Sequence, residues 1–194
     1  MLDANRSALK EWAAVERALA DGRTALLIRK GGIHEKRGGF EVEHREFWLF
    51  PTGFHQNADE LADDFRGLAG LPVPPSRDEV RLGVYAVVEE AFRVESLDAL
   101  ERLKGLHPLA PETIRSRFAY RNKPYLHALV LRAHVLPEPH VVPNTLDYEG
   151  CISWVQMDAE LPTATARPAM LDAEFARTRA QILDRLGTEG VVRI

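Results

Sequence analysis

Cationic, acidic and imidazole side chains crowd one stretch of this chain. Arg29, Lys30, His34, Lys36 and Arg37 are followed within nine residues by Glu43, His44, Arg45 and Glu46. The pairs Gly31-Gly32 and Gly38-Gly39 bracket the central cations. Cations beside free backbone N–H groups suit phosphate recognition, and paired glycines let a backbone approach a ligand closely. A second basic set, Arg115, Arg117, Arg121 and Lys123, is interleaved with Phe118, Tyr120 and Tyr125. Cations between rings suit phosphate contact combined with base stacking. Trp48, with Trp154, is a candidate wall for a stacking pocket. The bland alternative is a set of solvated charges around aromatic residues that belong to the core.

Acid–base chemistry has its own candidates. If residues 41 to 46 are extended, Glu41, Glu43 and Arg45 share one face, and His44 and Glu46 the other. A carboxylate beside a histidine exchanges protons near neutrality. Lys30 or Lys36 acting with Glu43 or Glu46 would support metal-free amide hydrolysis; a cross-strand ladder of ion pairs is the non-catalytic alternative. His34, His44 and His55 match no ligand spacing, and HxxxH and CxxC are missing, so neither metal nor other cofactor is expected. His127 and His134, on one predicted strand, read as structural. The single cysteine, Cys151, has no base nearby in sequence and reads as a small buried apolar residue.

The elements that must position these groups follow from periodicity. Residues 6 to 20 predict a helix through Ala8, Leu9, Trp12, Val15 and Leu19, ended by Asp21-Gly22. Strands are expected at Thr24 to Ile28, at Phe40 and Val42, and at Phe47 to Phe50, where Pro51 stops the chain. Residues 57 to 68 predict a helix capped by Asn57, and the prolines of 71 to 75 an extended spacer. Val80 to Val94 reads as a central strand with Val84, Ala86 and Val88 on one face and Tyr85 and Val87 on the other. Ser96 caps a short helix, and Pro111-Glu112 opens another that ends near Phe118. Further strands are expected at Tyr125 to Leu136, closed by Pro137 and Pro139, and at Cys151 to Met157. Residues 171 to 186 predict a helix with Leu171, Phe175, Ile182, Leu183 and Leu186 as its apolar stripe. Strands that outnumber crossover helices predict an α+β fold on a mixed or antiparallel curved sheet.

Composition bounds the rest. The chain has 194 residues, 45% of them hydrophobic and 28% charged, which predicts one domain spanning 1 to 194. A net charge of −4 leaves any attraction to nucleic acid or anionic lipid to a local patch. The first residues, MLDANRSALKEW, lack the pattern of a signal peptide, and no apolar run has bilayer-spanning length, so a cytoplasmic protein with no membrane partner is expected.

Three blocks, GFEVEHREFWLFPTGFHQ, RFAYRNKPYLHALVLRAHVLPEP and YEGCISW, resemble the bacterial and archaeal domain-of-unknown-function family 1802. That resemblance spans nearly the whole chain and implies an association with restriction-modification proteins. The order LLIRKGG, EHREFWLF, VRLGVYAVVEEAFRVESLDALERL and ALVLRAHVLPEP is more distantly similar to ASCH and PUA-like β-barrels. It implies a barrel-like core over 24 to 158 with flanking helices; the helix at 6 to 20 and the segment from Asn57 to Pro75 depart from the barrel's minimum. It also implies RNA, DNA or a nucleotide-like ligand in a cleft beside the early loop, or amide hydrolysis of a modified nucleoside. A third expectation is a non-catalytic partner that docks through its terminal helices.

Overall fold

The computed structural model describes residues 1–30, 42–53, 56–70, 78–148, 150 and 152–194. Strand β1 (Ala4–Trp12) leads directly into α1 (Ala13–Ala20), then β2 (Leu26–Arg29) and β3 (Glu46–Thr52). The short α2 (Arg66–Ala69) precedes β4 (Glu79–Val94), α3 (Leu97–Arg102), α4 (Pro111–Ala119) and β5 (Leu126–Pro143). The chain closes with β6 (Trp154–Pro162), β7 (Arg167–Pro168), α5 (Asp172–Leu186) and β8 (Val191–Arg193). The described strands join one sheet of order β2-β5-β4-β3-β1-β6, with β7 added to β5 and β8 to β4. The β1–β3 pair is parallel and the other described pairs are antiparallel, so the fold is α+β on a mixed sheet. The path is open, because β2 and β6 at its two ends are not paired to each other among the described residues. The strands expected at Thr24 to Ile28, Tyr125 to Leu136, Val80 to Val94 and Phe47 to Phe50 are consecutive neighbours in it, as β2, β5, β4 and β3.

Alternation explains why the central strands are buried on both faces. Leu26, Ile28, Ala128 and Val130 enter one core cluster, which α3, α4 and α5 cover. Leu27, Leu129 and Leu131 enter a second, with Val84, Ala86 and Val88 of β4. Leu82 and Tyr85 point to a third cluster around Trp48. A side-chain period of two puts neighbours on opposite faces, so an unbroken apolar run fills two cores at once. Ser96 caps α3 as expected, its hydroxyl accepting from the Ala99 N–H at 3.2 Å, and α4 carries its proline at the N-terminus.

Several expected boundaries are corrected. The predicted helix at 6 to 20 begins as strand β1, and only its second half is helical. β1 is hydrogen-bonded to β3 on one side and β6 on the other, which outweighs a helical apolar spacing. Pro51 does not stop β3, because the ladder with β4 already ends at Trp48 and no bond to that neighbour is lost. Pro137 and Pro139 do not close β5. They lie in the irregular stretch between the pairs Leu82–His140 and Val84–Val135, where the register shifts and no regular ladder is required. The helix expected at 57 to 68 breaks into short turns. Asn57 still caps the first, but Leu61 is drawn into a bridge with Leu109, and the Ala62 N–H donates to the Pro108 carbonyl at 2.8 Å. The last large strand begins at Trp154, not at Cys151. Leu171 is 79% exposed at the start of α5, outside the expected stripe. The segment at Phe40, the 71 to 75 spacer and Cys151 lie outside the described residues. Among the described residues no helix is long and apolar enough to cross a membrane.

Candidate functional site

Polar side chains gather at the end of the sheet where β1 gives way to α1 and β2 ends. Arg29, the last residue of β2, reaches across to β1. Its guanidinium donates to the Glu11 carboxylate at 2.6 Å, to the Lys10 carbonyl at 2.7 Å and to the Ser153 hydroxyl at 2.8 Å. Glu11 and Ser153 are buried, and Arg29 is mostly so. The other Glu11 oxygen accepts the Trp12 N–H at 2.9 Å. Arg117 of α4 lays its guanidinium 4.5 Å from the centre of the Trp12 ring, with Glu60 3.9 Å away. Burial lowers the Arg117 pKa, the charges of Glu11 and Glu60 raise it, and the Arg29 charge lowers it.

Lys30 extends this centre toward the segment after α4. Its ammonium donates to the carbonyls of Phe118 at 3.1 Å, Tyr125 at 3.0 Å, and Lys123. Burial, then the Lys123 charge, lowers its pKa. Tyr125 lies between two cations, with Lys30 Nζ 5.1 Å and the Arg93 guanidinium 5.0 Å from its ring centre. His127 beside it is pushed down to about 4, chiefly by burial and then by Arg93, Lys30 and Arg29. Past α4 the backbone turns through positive φ at Arg121 and Asn122, and the Arg121 guanidinium sits 5.3 Å from the half-exposed Tyr120 ring.

The expected basic sets therefore meet in part. Arg29 and Lys30 from the first come together with Arg117 and Lys123 from the second, and Arg121 continues the same segment. Arg115 does not join them. Residues two apart on a helix point to nearly opposite sides, and Arg115 instead pairs with Glu101 at 2.7 Å and Glu112 at 3.3 Å. Trp48 is removed from the site. It is completely buried, its indole N–H donates to the Asn5 carbonyl at 3.0 Å, and it packs edge-on against Tyr85. His34, Lys36, Arg37 and His55 lie outside the described residues.

The acid–base candidates separate. Glu46 accepts from the Leu2 N–H at 2.7 Å and the Tyr85 hydroxyl at 3.0 Å, on another part of the sheet from the carbonyls that hold Lys30. Glu43 is exposed. His44 places Nε2 3.1 Å from the Gln156 amide nitrogen and meets Trp154 edge-on at 5.1 Å. Among the described residues no cluster of three or more histidine, cysteine, aspartate or glutamate side chains is arranged to hold a metal. Glu11, Trp12, Glu60, Arg93 and Ser153 escaped the sequence reading. Trp12 carried the one available signal, a large aromatic beside a carboxylate, but it was absorbed into a helical stripe.

Fold and geometry together define an α+β protein whose mixed sheet ends in a half-buried strip of cations and aromatic rings. The chain belongs to the family described as Domain of unknown function (DUF1802), whose model matches residues 8–181. No curated protein matches it. Among solved structures it is similar to the crystal structure of ASCH from Zymomonas mobilis, with 13% identity over 90% of this chain and 92% of that one, TM-score 0.43. A mutant of the same Zymomonas mobilis protein is similar with 12% identity over 94% and 99%, TM-score 0.47.

Proposed function

We propose that the strip from Arg29 to Lys123 binds nucleic acid or a nucleotide-like anion. One observation carries the reading. A chain of net charge −4 gathers Arg29, Lys30, Arg93, Arg117, Arg121 and Lys123 around Trp12, Tyr120 and Tyr125. Glu11, Glu60 and Glu95 offset only part of this positive charge, and the Lys123 charge adds to burial in lowering the Lys30 pKa. The inner cations fix the frame: Arg29 is paired with Glu11, and Lys30 is spent on three carbonyls. The outer ones, Arg121 and Lys123, would meet phosphate, with Tyr120 offering a ring to a base and the largely buried Arg117 adding its charge from behind. Such a module would act within a restriction-modification or nucleic-acid-modifying system, holding the polymer while a partner acts on it.

A metal-free hydrolase built on Lys30 and Glu46 has less support, because the two groups are committed to different partners. The direct test is a salt titration of binding to single- and double-stranded RNA and DNA and to mononucleotides. Affinity should fall as salt rises, with a log–log slope of about −0.7 per neutralised phosphate on a single strand. Replacing Arg121 and Lys123 together by Ala should weaken binding to all sequences alike and flatten that slope. Absence of binding to every probe at low salt removes the reading.

A further inference from the structure

On the far side of α4 from Arg117, a cleft of about 220 Å³ opens between α3, α4 and the loop that joins them. Its walls are apolar: Leu100, Leu109, Pro111 and Ile114. A cavity of about 150 Å³ accepts benzene, so this one has room for a single ring or short chain with a small polar group. His107 contributes a polar group to the lining while being only 3% exposed. Its Nδ1 accepts the Leu109 N–H at 3.1 Å, so the proton of the neutral ring is on Nε2, making that nitrogen a donor. Burial, assisted by the Arg117 charge, pushes the His107 pKa down to about 4, which keeps that neutral form.

The charges at the mouth favour one sign of ligand. Lys104, Arg115 and Glu101 line it. Arg115 is already engaged by both Glu101 at 2.7 Å and Glu112 at 3.3 Å, which leaves Lys104 as the cation that faces a ligand. The Lys104 ammonium has no carboxylate or carbonyl partner among the described residues. The Arg185 guanidinium adds a further cation nearby, donating to the Lys104 carbonyl at 3.1 Å. We infer that this cleft binds a small organic anion, a monocyclic or short-chain carboxylate, with its apolar body against Leu100, Leu109 and Ile114 and its carboxylate facing Lys104.

Benzoate is the probe, with benzyl alcohol and benzylammonium as neutral and cationic counterparts of the same ring. Each is titrated into the full chain while the methyl resonances of Leu100, Leu109 and Ile114 are followed. Benzoate should give saturable shifts at those methyls, with affinity about tenfold or more above either counterpart. Lys104→Glu, an exposed change that leaves the apolar walls intact, should abolish that preference without moving the melting temperature. The paired Arg121→Ala, Lys123→Ala variant should leave benzoate binding unchanged, which separates this cleft from the basic strip. Equal affinity for the three probes, a preference for the cation, or no saturable shift up to the solubility limit would overturn the assignment, as would benzoate binding lost with the Arg121 and Lys123 changes.

Discussion

Glu11 and Arg29 hold opposite charges 2.6 Å apart where neither side chain has much access to water. Removing one partner from such a pair leaves a desolvated charge, a loss of about 3–5 kcal/mol, whereas replacing both by apolar residues is often nearly neutral. Glu11→Ala should therefore lower unfolding stability by about 3 kcal/mol in urea titration, and Glu11→Leu with Arg29→Met by much less. Glu16, on α1, is a different case. Burial raises its pKa from 4.5 to about 7, against the attraction of Arg17. A carboxyl whose folded pKa lies above its unfolded value binds more protons when folded, so its contribution is present below pH 4.5 and lost as pH rises through 7. Glu16→Gln should remove that loss, leaving the variant more stable than the parent at pH 8 by at most about 3 kcal/mol, and close to it at pH 4. Paired urea titrations at the two values check this, and an equal difference at both would refute it.

At the scale of elements, the C-terminal segment is fastened to the middle of the sheet by charge. Glu90 of β4 is buried, and both Arg179 of α5 and Arg193 of β8 reach it. β8 adds to β4 opposite Phe92, Arg93 and Val94, and Gly190 makes the turn before it with φ +67. A Cβ at Gly190 would lie 2.9 Å from the Ser96 Cβ, so an alanine there is opposed by both backbone and contact. Replacing Arg179 and Arg193 by Ala should destabilise by about 3 kcal/mol, since the carboxylate stays buried without a cation. Amide exchange should accelerate first at Phe92 to Val94. Exchange there at the parent rate would show that β8 is held by its ladder alone.

Across the whole molecule, the proposed binding rests on a local concentration of charge against an acidic average. The cations of the strip come from β2, β4, α4 and the turn beyond it, segments up to about ninety residues apart in sequence. The paired arginines of α4 provide a matched test, because Arg117 faces Trp12 and Arg115 faces Glu101. Arg117→Ala should weaken nucleic-acid binding about tenfold at low salt, and Arg115→Ala should change it little. A fluorescence-anisotropy titration distinguishes them, and equal effects would mean that overall charge, and not this strip, attracts the polymer.

The sequence by itself determined the α+β class, the central strands β2, β4 and β5, the cap of α3, the proline that opens α4, and the two basic sets. Those features follow from local periodicity, from apolar runs of strand length, and from residues such as Ser96 and Pro111 whose chemistry acts on their immediate neighbours. Only the tertiary structure decided that residues 4 to 12 form a strand, because the partners that make it one, β3 and β6, lie about forty and one hundred and fifty residues away. Separation in sequence, from 18 to 124 residues, also hid the Arg29–Glu11–Ser153 contact and the carbonyls that hold Lys30. Periodicity announces that a side chain is buried or exposed. Which cations are drawn into the fold, like Arg29, and which, like Arg121, are left exposed, depends on long-range packing that no local pattern encodes.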